Sequence, residues 1–100
     1  LEPLEGLPLM RRRRSRAPWR KGKPPVSDHE LCRGPGNLCR AMGITLADNT
    51  RPLTRGPLTI HDRGITHPEI VWSQRIGIRV GTEHHWRATV KGHHSVSGKR

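Results

Sequence analysis

The 100 residues contain no Tyr and no Phe, and only eight carboxylates stand against 19 Lys and Arg. Leu, Ile and Val together make up 20 positions. So few large apolar side chains leave little for a deep core, and at this charge the composition lies at the edge where chains stay disordered. No run of 18 apolar residues exists, which excludes a membrane-spanning helix. Two Cys are too few for a disulfide scaffold, and the length allows one domain at most. What the chain has in excess is positive charge. A formal net charge of +11 and a pI near 11.6 predict a polyanionic partner, most simply nucleic acid.

The two ends differ. Leu1-Glu2-Pro3-Leu4-Glu5-Gly6 opens on an apolar residue without a polar lead-in, whereas Ser97-Gly98-Lys99-Arg100 reads as a natural polar tail. The expectation is the C-terminal part of a longer protein; the alternative is a complete small basic protein whose first Met was removed. The basic run follows the apolar stretch, and Glu2 and Glu5 interrupt it, so this is not a signal peptide. A cytoplasmic, nucleoid-associated or a nuclear location is expected, and not secretion.

Along the chain, the spacing predicts a helix of about 8–10 residues within 6–16, with Pro8 in its first turn and an end before Pro18. Arg11 to Arg14 then either track phosphates with their guanidinium forks or form a solvated face. Residues 17–30, with Pro18, Pro24 and Pro25, read as a flexible surface loop. Within it, Ser27 and Glu30 have capping-box spacing. Gly34-Pro35-Gly36 feeds a short helix with Leu38, Cys39 and Met42 on one side. The first turn of such a helix has unpaired N–H groups, and glycine there lets a phosphate approach the backbone; the same turn also serves as a plain turn.

After a turn-rich stretch at 45–57, the apolar period changes from helical to alternating. Leu58 to His61 reads as a short strand and 62–68 as a loop. Arg75 to Val80 alternates, with Ile76, Ile78 and Val80 on one face and Arg75, Gly77 and Arg79 on the other. Trp86 to Lys91 alternates too, with Trp86, Ala88 and Val90 inward. Pairing these two strands across 81–85 puts Arg75, Arg79, Arg87 and Lys91 on one outer face, either a nucleic-acid surface or the solvated side of an antiparallel sheet. The fold class expected is α+β, short N-terminal helices followed by an antiparallel sheet.

The chain shows no catalytic centre of its own. Cys32 and Cys39 match no zinc spacing and read as buried reduced thiols. In the pairs His84-His85 and His93-His94, neighbours on a strand point to opposite faces, so neither pair is expected to chelate one ion; His84 with His94 could across a hairpin, but the default reading is loop histidines at a basic surface and no metal is expected. No carboxylate pair, Ser/His/Asp order, phosphate-binding loop or dinucleotide fingerprint is apparent. None of the lysines considered has the apolar surroundings a Schiff base needs.

Several blocks carry a resemblance: Leu1-Glu2-Pro3-Leu4-Glu5-Gly6, Met10 with Arg11 to Arg14, Gly34-Pro35-Gly36-Asn37-Leu38-Cys39-Arg40-Ala41-Met42-Gly43-Ile44, Arg75-Ile76-Gly77-Ile78, Trp86-Arg87 and Ser95-Val96-Ser97-Gly98. In this order and spacing the whole chain resembles the C-terminal half of the alkyladenine (3-methyladenine, methylpurine) DNA glycosylases. The resemblance implies base-excision repair. A damaged purine is flipped from duplex DNA into a pocket, and a carboxylate-activated water attacks the sugar carbon while the base leaves. It implies double-stranded DNA as partner, a monomer, and neither metal nor organic cofactor. The water-activating Glu, the aromatics that sandwich the base and the Tyr wedge belong to the family's N-terminal half, outside this chain.

By the same resemblance, the main-chain carbonyl of Ile76 helps hold the attacking water. Gly34 to Asn37 lie near the DNA backbone, so Arg33, Gly34, Gly36, Asn37, Arg75 and Arg79 form the expected DNA-binding set. Two departures stand out: Asn37 replaces a frequent Lys or Arg, and Ala88 replaces a common aromatic. The reading from a different class is a self-contained basic nucleic-acid-binding protein, for example a ribosome-associated one.

Overall fold

The computed structural model describes residues 1–66 and 68–98. His67, within the expected loop at 62–68, and Lys99 and Arg100, in the polar tail, lie outside them. The described residues form a small α+β structure with two helices, α1 (Leu7–Ser15) and α2 (Pro35–Met42), and two strands, β1 (Ile70–Ser73) and β2 (Arg87–Val90). Short 3-10 turns at Pro18–Arg20, Asp28–Glu30 and Leu46–Asp48 punctuate the connections.

Helix α1 starts where expected. Gly6 takes a left-handed φ of 72° just before it, and Pro8 sits in its first turn, where its missing N–H costs nothing. Arg12, Arg13 and Arg14 occupy the last turn, at the negative end of the helix dipole. Helix α2 ends on Gly43 at φ 69°, and its N–H and that of Ile44 return to carbonyls of the last turn. A Cβ on Gly43 would lie 3.0 Å from the Arg13 guanidinium, so glycine also lets α1 approach here.

The core lies between these helices. Val26, Leu31, Cys32 and Ala41 are buried, and Leu7, Met10 and Leu38 pack on them. The inward face of α2 is therefore Leu38 and Ala41. Of the side expected from sequence, Cys39 is exposed and Met42 sits at the edge. Residues 17–30 carry two of the 3-10 turns and contribute buried Ala17 and Val26. Ser27 and Glu30 do not complete a backbone cap; the hydroxyl donates to Glu30 Oε2 at 2.5 Å instead.

The strands correct the sequence reading most. Strands β1 and β2 pair antiparallel, Ile70 opposite Val90 and Trp72 opposite Ala88. The partner of β2 is thus Ile70–Ser73 and not 75–80, which follows as irregular bends with Gly77 at φ 76°. Ionic and polar contacts fix the observed register. Lys91 pairs with Glu69 at 2.8 Å through its side chain, and the Lys91 N–H donates to the Glu69 carbonyl at 2.9 Å. Arg87 Nη1 donates to Ser73 Oγ at 3.1 Å. Residues 58–61 form no strand; the Ile60 N–H closes a turn onto Leu53 O at 2.9 Å.

The expected inward face of β2 is the outer one. Trp86 is 67% exposed and Trp72, across from Ala88, is 63% exposed, while Arg87 and Thr89 are the more covered residues. Alternation identifies the residues that share a face; which face is covered depends on what packs against the sheet.

Candidate nucleic-acid interface

The candidate interface centres on the start of α2. Gly34 precedes the helix at φ 91° and ψ 156°, a conformation open to glycine and strained for other residues. No side chain caps the helix, and Pro35 has no N–H, so the N–H groups of Gly36 and Asn37 open it toward solvent. A Cβ on Gly36 would meet nothing within 4 Å. The Asn37 amide is turned back and donates to Arg33 O at 2.8 Å. Arg33 is half-buried: its Nε donates to Val96 O at 2.7 Å, and its Nη1 lies 3.7 Å from Glu30 Oε1.

An open depression beside this turn is lined by Arg14, Arg20, Arg33, Glu30 and Asn37, with Pro24, Pro25 and Val26 forming its apolar side. Three guanidiniums against one carboxylate leave net positive charge in a concave site. Burial first, and then the neighbouring Arg20, pull the Arg14 guanidinium below its ordinary value; it stays charged at any physiological pH. An anion seated here relieves the repulsion between these arginines. Glu30 is held below the usual carboxylate range, chiefly by the Ser27 hydroxyl and further by His29 and Arg33. A carboxylate shifted down is a poorer base, so Glu30 serves as an ion-pair partner in this site.

The four-Arg block divides by role. Arg14 Nη1 donates to Leu31 O at 2.6 Å and Glu30 O at 2.8 Å. Arg13 Nη1 donates to Ala41 O at 3.0 Å, and Arg11 bonds Val26 O and pairs with Asp28. These three tie α1 to the chain around it, while Arg12 is exposed. Sequence reasoning placed neither Arg14 nor Arg20 at the depression, because helical spacing alone does not say which arginine faces the segment at 24–37.

Residues 95–98 join this turn to the second expected site. The Val96 carbonyl receives Arg33, and Ser97 Cβ lies 3.5 Å from where a Gly34 Cβ would be. The Ser97 carbonyl receives Arg87 Nη2, and Gly98 lies directly under the Ile76 side chain. The structure thus links Arg33 and Gly34 to Ile76 through one short strap. Arg75 and Arg79 are exposed on the bends after β1 and form no ion pair among the described residues.

Two further readings are corrected. Cys32 is buried and its thiol is pushed up, mainly by desolvation, but Cys39 is exposed; both are free. His93 and His94 do not point apart, since Lys91 and Gly92 form a turn and the following rings stack with centroids 4.5 Å apart. Both reach Glu2, at 3.2 and 3.3 Å. His84 instead stacks on Trp86 at 4.1 Å.

A basic chain with an uncapped, glycine-led helix start and an arginine-lined depression has the features of a candidate anion-contacting surface. Comparison with known proteins makes the class specific. The family profile described as Methylpurine-DNA glycosylase matches residues 1–94, and the chain belongs to that family. Curated relatives named "Putative 3-methyladenine DNA glycosylase" are similar to it. The one from Rhodopseudomonas palustris is 45% identical over 91 residues, covering 91% of this chain and 39% of the relative. That from Bradyrhizobium diazoefficiens is 43% identical over 93 residues, with coverage of 92% and 41%. That from Burkholderia cenocepacia is 42% identical over 101 residues, with coverage of 98% and 45%. The chain spans less than half the length of these relatives. No helix among the described residues is long and apolar enough to cross a membrane.

Proposed function

We propose that this protein works in base-excision repair, as part of an enzyme that hydrolyses the N-glycosidic bond of alkylated purines in double-stranded DNA. The family match over residues 1–94 carries this reading. The bridging of the Gly34 turn and Ile76 by residues 95–98 gives it a geometry. One phosphate of the duplex sits against the N–H groups of Gly36 and Asn37, with Arg14, Arg20 and Arg33 supplying charge. Arg75 and Arg79 follow the backbone further along.

The Ile76 carbonyl accepts a hydrogen bond from the attacking water and orients it. A carboxylate from the part of the family fold beyond these residues takes the proton of that water. The water oxygen bonds to the sugar C1′, and the C1′–N bond breaks with its electron pair on the departing base. Alkylation places positive charge on the purine, so the base leaves neutral. The protein acts as a monomer wherever the cell keeps its DNA, in the nucleoid region or a nucleus.

The test combines binding and turnover. The 100 residues bind methylated duplex more tightly than RNA of equal length, with affinity falling as salt rises, and release no 3-methyladenine. The gene's whole product releases it. Equal affinity for RNA and duplex, with no release by the whole product, overturns the reading in favour of a general nucleic-acid binder. Release by the 100 residues alone overturns the assignment of the base to the rest of the fold.

A further inference from the structure

Glu2, His93 and His94 lie at opposite ends of the chain and have no part in the chemistry above. We propose that they form a two-histidine, one-carboxylate site for a divalent transition-metal ion of the zinc, nickel or copper class.

One donor atom from each residue falls within 4.8 Å of the other two. The Nε2 atoms of His93 and His94 stand 3.2 and 3.3 Å from the two Glu2 oxygens. Ligands around one tetrahedral zinc, at about 2.0–2.2 Å from the metal, are separated by roughly 3.3 Å, so both His–Glu2 separations already match, and the two rings, whose donor atoms lie within 4.8 Å, complete the set by closing toward one another. The elements around them hold them there. Gly92, at φ 67°, turns the chain so that both rings face Glu2. His29 packs edge-on against His94 with centroids 5.5 Å apart.

Imidazole with a single carboxylate suits zinc, nickel or copper, whereas calcium and magnesium demand mostly oxygen donors. Three protein ligands leave a fourth position for water. His93 Nδ1 accepts from the Ser95 N–H at 3.1 Å, so its neutral ring carries the proton on Nε2, facing Glu2. A metal on Nε2 moves that proton to Nδ1 and breaks the Ser95 contact. Ser95 also offers a replacement acceptor: its Oγ is buried and has no hydrogen-bond partner among the described residues. Such an outer acceptor for a metal-bound imidazole fixes its tautomer.

The experiment titrates Zn²⁺ into the 100-residue chain, with binding followed by calorimetry and by the amide and imidazole NMR signals. One equivalent binds, the signals of His93, His94 and the Ser95 amide shift together, and those of His61, His84 and His85 do not. Co²⁺ gives a spectrum without sulfur-to-metal charge transfer, and Mg²⁺ moves none of these signals. His94→Ala and Glu2→Gln weaken zinc binding by more than about tenfold, since loss of even an outer partner costs that much; His84→Ala leaves it unchanged. No stoichiometric binding, a thiolate band with Co²⁺, or shifts at His84 and His85 in place of His93 and His94 overturn the site. The wild-type NMR result decides the matter even where a variant fails to fold.

Discussion

Positive charge in this chain serves two tasks, and the difference is decided residue by residue. Of the four consecutive arginines, Arg11, Arg13 and Arg14 donate to main-chain carbonyls of other segments, and Arg12 faces solvent. A chain with only 20 large aliphatic residues thus uses guanidinium groups, with their apolar stems and forked donors, where a richer chain would use a larger core. Replacing Arg14 with Met keeps most of the stem and leaves Leu31 O and Glu30 O without their charged donor. The expected loss is about 3 kcal/mol, since hydrogen bonds to charged groups are the strong ones. Arg12→Ala stays within about 0.5 kcal/mol. Urea unfolding of both variants checks the contrast. The run of arginines is plain in the sequence; their division of labour is not, because it depends on which segments fold back onto α1.

The two thiols divide in the same manner. Burial in the core raises the Cys32 thiol above its ordinary range and keeps it protonated, whereas Cys39 lies open on α2. A thiol reagent added to the folded protein near pH 8 is expected to modify Cys39 and spare Cys32 until the chain unfolds, as mass spectrometry of the labelled peptides will read. The sign for stability follows from the raised value. The contribution of Cys32 is complete below the ordinary thiol pKa and is lost as pH climbs through the folded-state value, because the unfolded chain ionises first. Equal labelling of both thiols in the native protein refutes this placement.

At the scale of elements, both helices and the strand β2 were readable, while β1 and the pairing of the sheet were not, for a definite reason. Both helices are marked by Gly and Pro at their ends, and these residues act through their own backbones. The strands depend on partners. Ile70, Val71 and Trp72 form a continuous apolar run, which gives no alternation to detect. Arg75 to Val80 alternates well but is bent at Gly77. The convergence of Gly34 and Ile76 through residues 95–98 was equally hidden, since it joins positions far apart in sequence; the family resemblance named both positions, and only the fold joins them.

The glycines of the α2 turn separate folding from binding. Gly34→Ala meets a left-handed φ and the Ser97 side chain, with an expected cost on the order of 1–2 kcal/mol. Gly36→Ala enters open space in the first helical turn, and is expected to leave stability unchanged or raise it by up to about 0.5–1 kcal/mol. If a phosphate approaches this turn, Gly36→Ala nevertheless weakens duplex binding. Thermal unfolding and a duplex titration on the same two proteins test the pair. A Gly36 variant with unchanged affinity removes the phosphate from this position.

For the whole molecule, a loosely packed body carries a large charge. The radius of gyration is 15.2 Å, against about 13 Å for a close-packed domain of this length. Trp72 and Trp86 stand exposed on and beside the sheet and take no part in the small helical core. Such a molecule gains little from internal burial and much from a polyanion that neutralises it. The gain is measurable as counterion release: the slope of log affinity against log salt counts the phosphates engaged, at about 0.9 per phosphate for duplex DNA. Arg20→Gln removes one charge from the depression beside α2 and is expected to lower that slope by about 1, with similar loss on every sequence tested. Arg12→Gln removes the same formal charge from an exposed site on α1, where no depression gathers charge, and is expected to change the slope by much less. Equal slopes for the two variants would mean that net charge alone attracts the nucleic acid, and that the arginines around the start of α2 form no defined contact.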